Sequence, residues 1–186
     1  MQVGLFNSGN IAVRSVISSS TKTKNSQTIS ATDPDWGREQ LRQWWDPSRQ
    51  LLRSIRKYQK WQKSRSLFKK IGCIANVIQY RFWSAITGSD IPLNSQLGGG
   101  LKLTHPNGIV IHPSATIGPN CLIFQQVTIT KNVKIGGHVD IGSGAKIIRP
   151  VKIGDGAKIG ANAVVMCDVP PGATAVGIPA KIIMPR

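Results

Sequence analysis

No stretch of this 186-residue chain approaches the roughly 20 consecutive apolar residues that span a bilayer, which excludes a transmembrane helix. Cysteine is scarce. Cys73, Cys121 and Cys167 are odd in number and lack C-x-x-C spacing, so neither a disulfide framework nor a zinc ribbon fits. They read as reduced thiols in a cytoplasmic protein. Acids are few: eight Asp and Glu stand against 24 Lys and Arg, a formal charge of +16. Twelve of the cations but only Glu39 and Asp46 among the acids lie between Arg38 and Arg81. Such a basic segment could meet anionic lipid, nucleic acid or a phosphorylated ligand. No nucleic-acid-binding motif accompanies it, so solvation is the default for the face and nucleic acid an unfavoured partner. Peripheral membrane contact through basic helices stays open.

Against these absences stands one strict pattern. Ile111, Ile117, Ile123, Ile129, Ile135, Ile141, Ile147, Ile153, Ile159 and Val165 follow each other at six-residue steps. Four residues after each of the first nine comes a small or β-branched side chain, from Ala115 and Cys121 to Ala157 and Ala163. Turn formers such as Pro119-Asn120 and Asp155-Gly156 lie between. A 3.6-residue helix cannot keep that register, so the repeat predicts a hexapeptide β-solenoid. Three hexads make an 18-residue triangular coil, giving between four and five coils with a continuous aliphatic core.

Three regions follow. Residues 1–35 are polar and read as a flexible tail. Residues 36–88 read as helices: Asp46-Pro47-Ser48 places a cap with Pro at the first helical position, followed by the apolar stripe Leu51, Leu52, Ile55 and Tyr58. A second helical stretch should pack Ile71, Ile74, Val77, Ile78, Phe82 and Trp83 on the solenoid. Trp44, Trp45, Trp61 and Trp83 read as packing anchors. Residues 89–186 form the solenoid, with the helices covering its first end and the segment from Pro170 to Lys181 covering the other.

Chemistry is expected where the repeat is irregular. An earlier phase (Ile91, Leu97, Leu103, Ile109) slips by two residues before Ile111, and the slip contains His105. An inserted residue re-aims side chains, as a bulge does. Asp90, fifteen residues earlier, is expected to stack on the neighbouring coil. His105 backed by Asp90 makes a general-base pair, the carboxylate fixing the imidazole tautomer. His112 and His138 occupy turn positions and read as structural. The histidine spacings do not suit a zinc site, so no metal is expected.

The segments Asp90-Ile91-Pro92, His105-Pro106-Asn107-Gly108-Ile109-Val110-Ile111, Lys158-Ile159-Gly160-Ala161-Asn162-Ala163-Val164-Val165, and Asp168 through Lys181 resemble serine O-acetyltransferases. The resemblance covers residues 40–183. It implies a left-handed parallel β-helix behind a helical region, an acetyl-CoA-dependent O-acetyltransferase, and homotrimers with acetyl-CoA between neighbouring solenoids. It also implies His105 as base and Asp90 as the carboxylate that orients it. Ser143 and Ala161 would meet the pantetheine arm, Lys158 would lie near its path, and Lys181 would meet CoA phosphates.

Two departures bear on the acceptor. The resemblance implies a loop with a second histidine after the Val127-Thr128-Ile129 strand, but here the hexads run on unbroken to Ile135. Thr104 also replaces the aspartate expected before the base. The wording Leu103-Thr104-His105-Pro106-Asn107-Gly108 is similar to the exopolysaccharide, colanic-acid-type acetyltransferase branch. These points favour a sugar hydroxyl over L-serine as acceptor. A non-catalytic trimeric scaffold is the alternative of another class.

Overall fold

The computed structural model describes residues 29–62 and 67–185. The expected tail falls outside the described residues over 1–28. Helix α1 (Pro47–Gln62) starts where the cap motif predicted. Pro47, which has no N–H to lose, holds the first position, and the Gln50 amide donates to the Asp46 carbonyl at 2.9 Å. Leu51, Leu52 and Ile55 are buried, each burial contributing about 1.5–3 kcal/mol. Helix α2 (Leu67–Thr87) packs against α1.

The expected orientation of α2 needs correction. Ile74 and Ile78 are 66% and 65% exposed, and Phe82 is also exposed. Of the expected residues Trp83 is buried, and Tyr80, absent from the expected set, is buried with it. This helix is apolar around much of its circumference, so periodicity alone left its inward face ambiguous. The Ile71 side chain lies outside the described residues. Of the tryptophans, Trp83 is a buried anchor and Trp45 packs edge-on against it, whereas Trp44 is largely exposed.

From residue 90 the chain winds through three parallel sheets. One carries Gln96–Leu97, Thr116–Ile117, Lys134–Ile135 and Lys152–Ile153. The second stacks Lys102–Thr104, Leu122–Phe124, Asp140–Ile141, Lys158–Ile159 and Thr174–Val176. The third stacks Val110–Ile111, Thr128–Ile129, Lys146–Ile147 and Val164–Val165. The hexad aliphatics point inward without exception from Ile111 to Val165, and the small partners sit beside them at zero or near-zero exposure.

Both ends are closed. Tyr80 donates to the Ile91 carbonyl at 3.0 Å, Gln59 to the Leu93 and Ser95 carbonyls, and Arg56 to those of Leu97 and Gly98. These side chains satisfy backbone acceptors that an uncapped first coil would leave open. At the far end, Lys181–Ile183 folds back antiparallel on Thr174–Val176, and Ala180 and Ile182 pack against the core.

Residues 30–39, which contain the short 3₁₀ turn Trp36–Glu39, lie against a corner of the solenoid. Asn120, fully buried, donates to the Ser30 and Asp33 carbonyls at 2.7 Å each and accepts from the Asp35 amide at 2.7 Å. Gly137 has no side chain where the Ala31 carbonyl passes; a Cβ there would stand 1.7 Å from that oxygen.

Candidate functional site

The register locates the slip. Lys102 pairs with Leu122, twenty residues on, whereas Val110 pairs with Thr128, eighteen on. The two extra residues therefore fall between Thr104 and Val110. There the corner runs His105 to Ile109, where the next coil uses only Gln125 to Val127. His105 has φ +50 and Gly108 φ +68, so this corner holds two left-handed residues, whereas the next holds Gln126 alone. Histidine tolerates that region better than most side chains, and a strained, exposed residue at an irregular corner is a site candidate.

Asp90 does not pair with His105. It forms an isolated parallel bridge with Val110, donating to the Ile109 carbonyl at 2.8 Å and accepting from the Ile111 amide at 2.9 Å. Its carboxylate is exposed on the face that begins just after the slipped corner, and it makes no hydrogen bond to His105. Its charge reaches Tyr80, whose hydroxyl is pushed up first by burial and then by Asp90. The two residues thus flank one corner from adjacent coils.

The other expected site residues line the same edge. Ser143 and Ala161 sit at matching corner positions, and the Asn162 amide donates to the Ser143 carbonyl at 2.8 Å. Lys158 stands exposed on the strand leading into that corner, and Lys181 pairs with Val176 at the solenoid's end. The edge from His105 to Lys181 spans four coil steps, about 19 Å at the usual strand spacing. Along it, Gln125 Oε1 is buried without a partner among the described residues.

His138 belongs to a different corner, the one carrying Gly100, Asn120, Gly156 and Gly172, where left-handed residues stack coil upon coil. It is a turn residue, as read from the sequence. His112 is held in its own turn: its Nδ1 lies 2.9 Å from Ser114 Oγ and accepts from the Ser114 amide at 3.1 Å. Among the described residues no group of three His, Cys, Asp or Glu could hold one metal ion.

Sequence reasoning missed the other wall of the site. His105 and Thr104 line a cleft of about 510 Å³ together with Arg42, Trp45, Asp46 and Arg49. The Asp46 carbonyl accepts the first helical bond of α1, while Asp46 also lines this cleft and its carboxylate ion-pairs with Arg49 at 3.0 Å. No periodic signal could have shown that the segment before α1 folds back beside His105.

These features define a parallel hexapeptide-repeat β-solenoid, closed by two helices, with an exposed, left-handed histidine at its irregular corner. No protein-family model matches the chain. It is similar in sequence to proteins named serine acetyltransferase. The one from Synechococcus elongatus is 39% identical over 106 residues, 53% of this chain and 43% of the relative. That from Mycobacterium tuberculosis is 34% identical over 131 residues, 66% of this chain and 54% of the relative. Among solved structures, soybean serine acetyltransferase complexed with serine aligns at TM-score 0.61 and 34% identity, covering 74% of this chain and 57% of that one. A serine acetyltransferase complex with CoA aligns at TM-score 0.62 and 30% identity, over 75% and 57%. The chain spans about half the length of the curated relatives it matches. The fold expected from the resemblance, a left-handed parallel β-helix behind helices, is the one it shares with these structures.

Proposed function

We propose that this protein is an acetyl-CoA-dependent O-acetyltransferase whose acceptor is L-serine. The observation that carries the reading is His105: exposed, left-handed, at the slipped corner, lining a cleft at the head of a 19 Å edge (about four strand spacings). His105 would take the proton of the acceptor hydroxyl as that oxygen attacks the acetyl carbonyl. The thioester C–S bond then breaks, and the proton returns from His105 to the departing thiolate, so the histidine ends as it began. Backbone N–H groups along the corner are the donors available to the transient oxyanion. Asp90 stands across the same corner, its backbone bridged to Val110.

The edge fits acetyl-CoA as co-substrate. It has backbone at Ser143 and Ala161 for an extended arm, and the cations Lys158 and Lys181 toward the far end for phosphates. A homotrimer would place a second solenoid against this edge. The thiols and the lack of a membrane-crossing helix among the described residues fit a cytoplasmic location.

The sequence alone favoured a sugar acceptor. The names of the relatives move L-serine to the front. One observation still supports a sugar hydroxyl as the second reading: Thr128–Ile129 and Lys134–Ile135 are joined by a plain turn with no inserted loop. Thiol release from acetyl-CoA, measured against L-serine and a panel of sugars, separates the two. Serine turnover abolished by His105→Ala supports the proposal, and turnover with sugars alone supports the second reading. No release with any acceptor would sink both and leave the non-catalytic scaffold.

A further inference from the structure

We propose that Arg42 and Lys102 form an anion handle that selects acceptors bearing a carboxylate. The inference rests on placing the acceptor in the cleft beside His105. That cleft is lined by four cations, Arg38, Arg42, Arg49 and Lys102, and by one carboxylate, Asp46. Two of the cations are committed to the fold. Arg38 donates to the Asn120 carbonyl at 2.5 Å; Arg49 donates to the Arg38 carbonyl at 3.1 Å and to Asp46 at 3.0 Å. Asp46 is thereby neutralised, and it also accepts from Ser48. Arg42 and Lys102 are exposed, and neither side chain has a hydrogen-bonding or ion-pair partner among the described residues.

Lys102 and Thr104 lie on one side of the same strand, with buried Leu103 between them, and His105 follows directly. Alternate residues of a strand stand about 7 Å apart, so the ammonium group is within one small molecule's length of the imidazole. A hydroxyl held at His105 would therefore carry its carboxylate toward Lys102, with the Arg42 guanidinium on the opposite wall able to bind it in a fork. The same four cations also line the adjoining cleft of about 600 Å³, with His138 and the acids Asp35 and Asp140. Asp35 is occupied there by the Gly37 amide at 2.9 Å. The surplus of positive charge is thus centred on the boundary of the two clefts, beside the base.

The test uses two pairs of probes that differ in carboxyl charge, L-serine against L-serinamide and D-glucuronate against D-glucose. Binding to the full-length protein is measured by calorimetry in low salt, for the wild type and for an Arg42→Gln/Lys102→Gln double variant. Thermal melting checks that the variant is folded. In one pair at least, the wild type should bind the carboxylate about tenfold more tightly than its neutral partner, the size of one charge-assisted contact. The double variant should bring that ratio to within about twofold, and Lys102→Arg should retain it. Equal binding of charged and neutral partners by the wild type, or a ratio that survives in the double variant, overturns the handle. Absence of thiol release with an intact binding ratio would instead overturn the acetyltransferase reading and leave the handle standing.

Discussion

The Gln126 amide donates to the Asn107 carbonyl at 2.8 Å, so the three-residue corner of one coil rests on the third residue of the five-residue corner before it. The coils thus stay in register while His105 and Pro106 are carried outside the regular path. If the projection of His105 is what the slip provides, removing the slip should remove activity and spare the fold. Deleting Pro106 and Asn107 leaves His105-Gly108-Ile109, with Gly108 at the left-handed position that Gln126 fills one coil on. Thiol release should fall about 10²–10⁴-fold, as for His105→Ala. Stability should drop by about 2–4 kcal/mol, for the lost bonds from Ser89 and Ile109 to the Pro106 carbonyl and from Gln126 to the Asn107 carbonyl. A deletion variant with wild-type turnover would refute this role for the slip.

Asn120 is the fastening point of the segment before the helices. Its three side-chain hydrogen bonds are buried, and its φ of +59 suits asparagine better than alanine. Asn120→Ala should cost about 2–4 kcal/mol, from unsatisfied backbone groups and left-handed strain together. Hydrogen exchange should rise first over residues 30–38. Because Arg38 ends the segment that the Asn120 side chain fastens and lines the cleft with His105, acceptor KM should rise more than that for acetyl-CoA. Unchanged exchange in this segment would show that it is held elsewhere.

The solenoid was legible because every hexad repeats one physical constraint, an inward aliphatic followed by a small corner residue, and each copy reinforces the others. The slip was legible for the same reason, as a place where the copies disagree. The strap over Asn120 gave no such signal. A single asparagine in a turn looks like any other turn former, and Ser30 to Asp35 look like a polar tail. The cleft wall formed by Arg42, Asp46 and Arg49 was hidden likewise, since Asp46 fully satisfies the pattern of a helix cap. The spacing of Asp90 from His105 suggested direct stacking, but the two extra residues shift its register partner to Val110.

Core and surface positions of one coil should separate cleanly. Ile141 is fully buried between neighbours from adjacent coils, and Ile141→Ala should destabilise by about 2–5 kcal/mol through lost burial and the cavity left behind. Lys134 and Lys152 stand side by side in register on one outer face, like charges one strand spacing apart. Lys152 already has Asp168 on its other side, whereas Lys134 has Thr116, so Lys134→Glu turns that repulsion into a cross-strand pair and should stabilise by about 0.2–1 kcal/mol, the gain shrinking in high salt. Denaturant melts at two salt concentrations read both. A destabilising Lys134→Glu would mean that Lys134 holds a partner of its own.

Cys121 and Cys167 should differ sharply in reactivity. Burial pushes the Cys121 thiol up to about 11, against a lowering from the Val139 backbone, and its Sγ donates to the Gly136 carbonyl at 3.2 Å. Cys167 is exposed. At pH 8 a disulfide reagent should label Cys167 in the folded protein and reach Cys121 only on unfolding. The same shift sets a pH dependence. The folded value lies above the ordinary 9.0, so the contribution to stability is complete below pH 9 and is lost as pH rises through 11. Cys121→Ala should therefore flatten the alkaline part of a melting-temperature profile while lowering stability near neutrality. Native-state labelling of Cys121 at the rate of Cys167 would show that the coil opens at that corner.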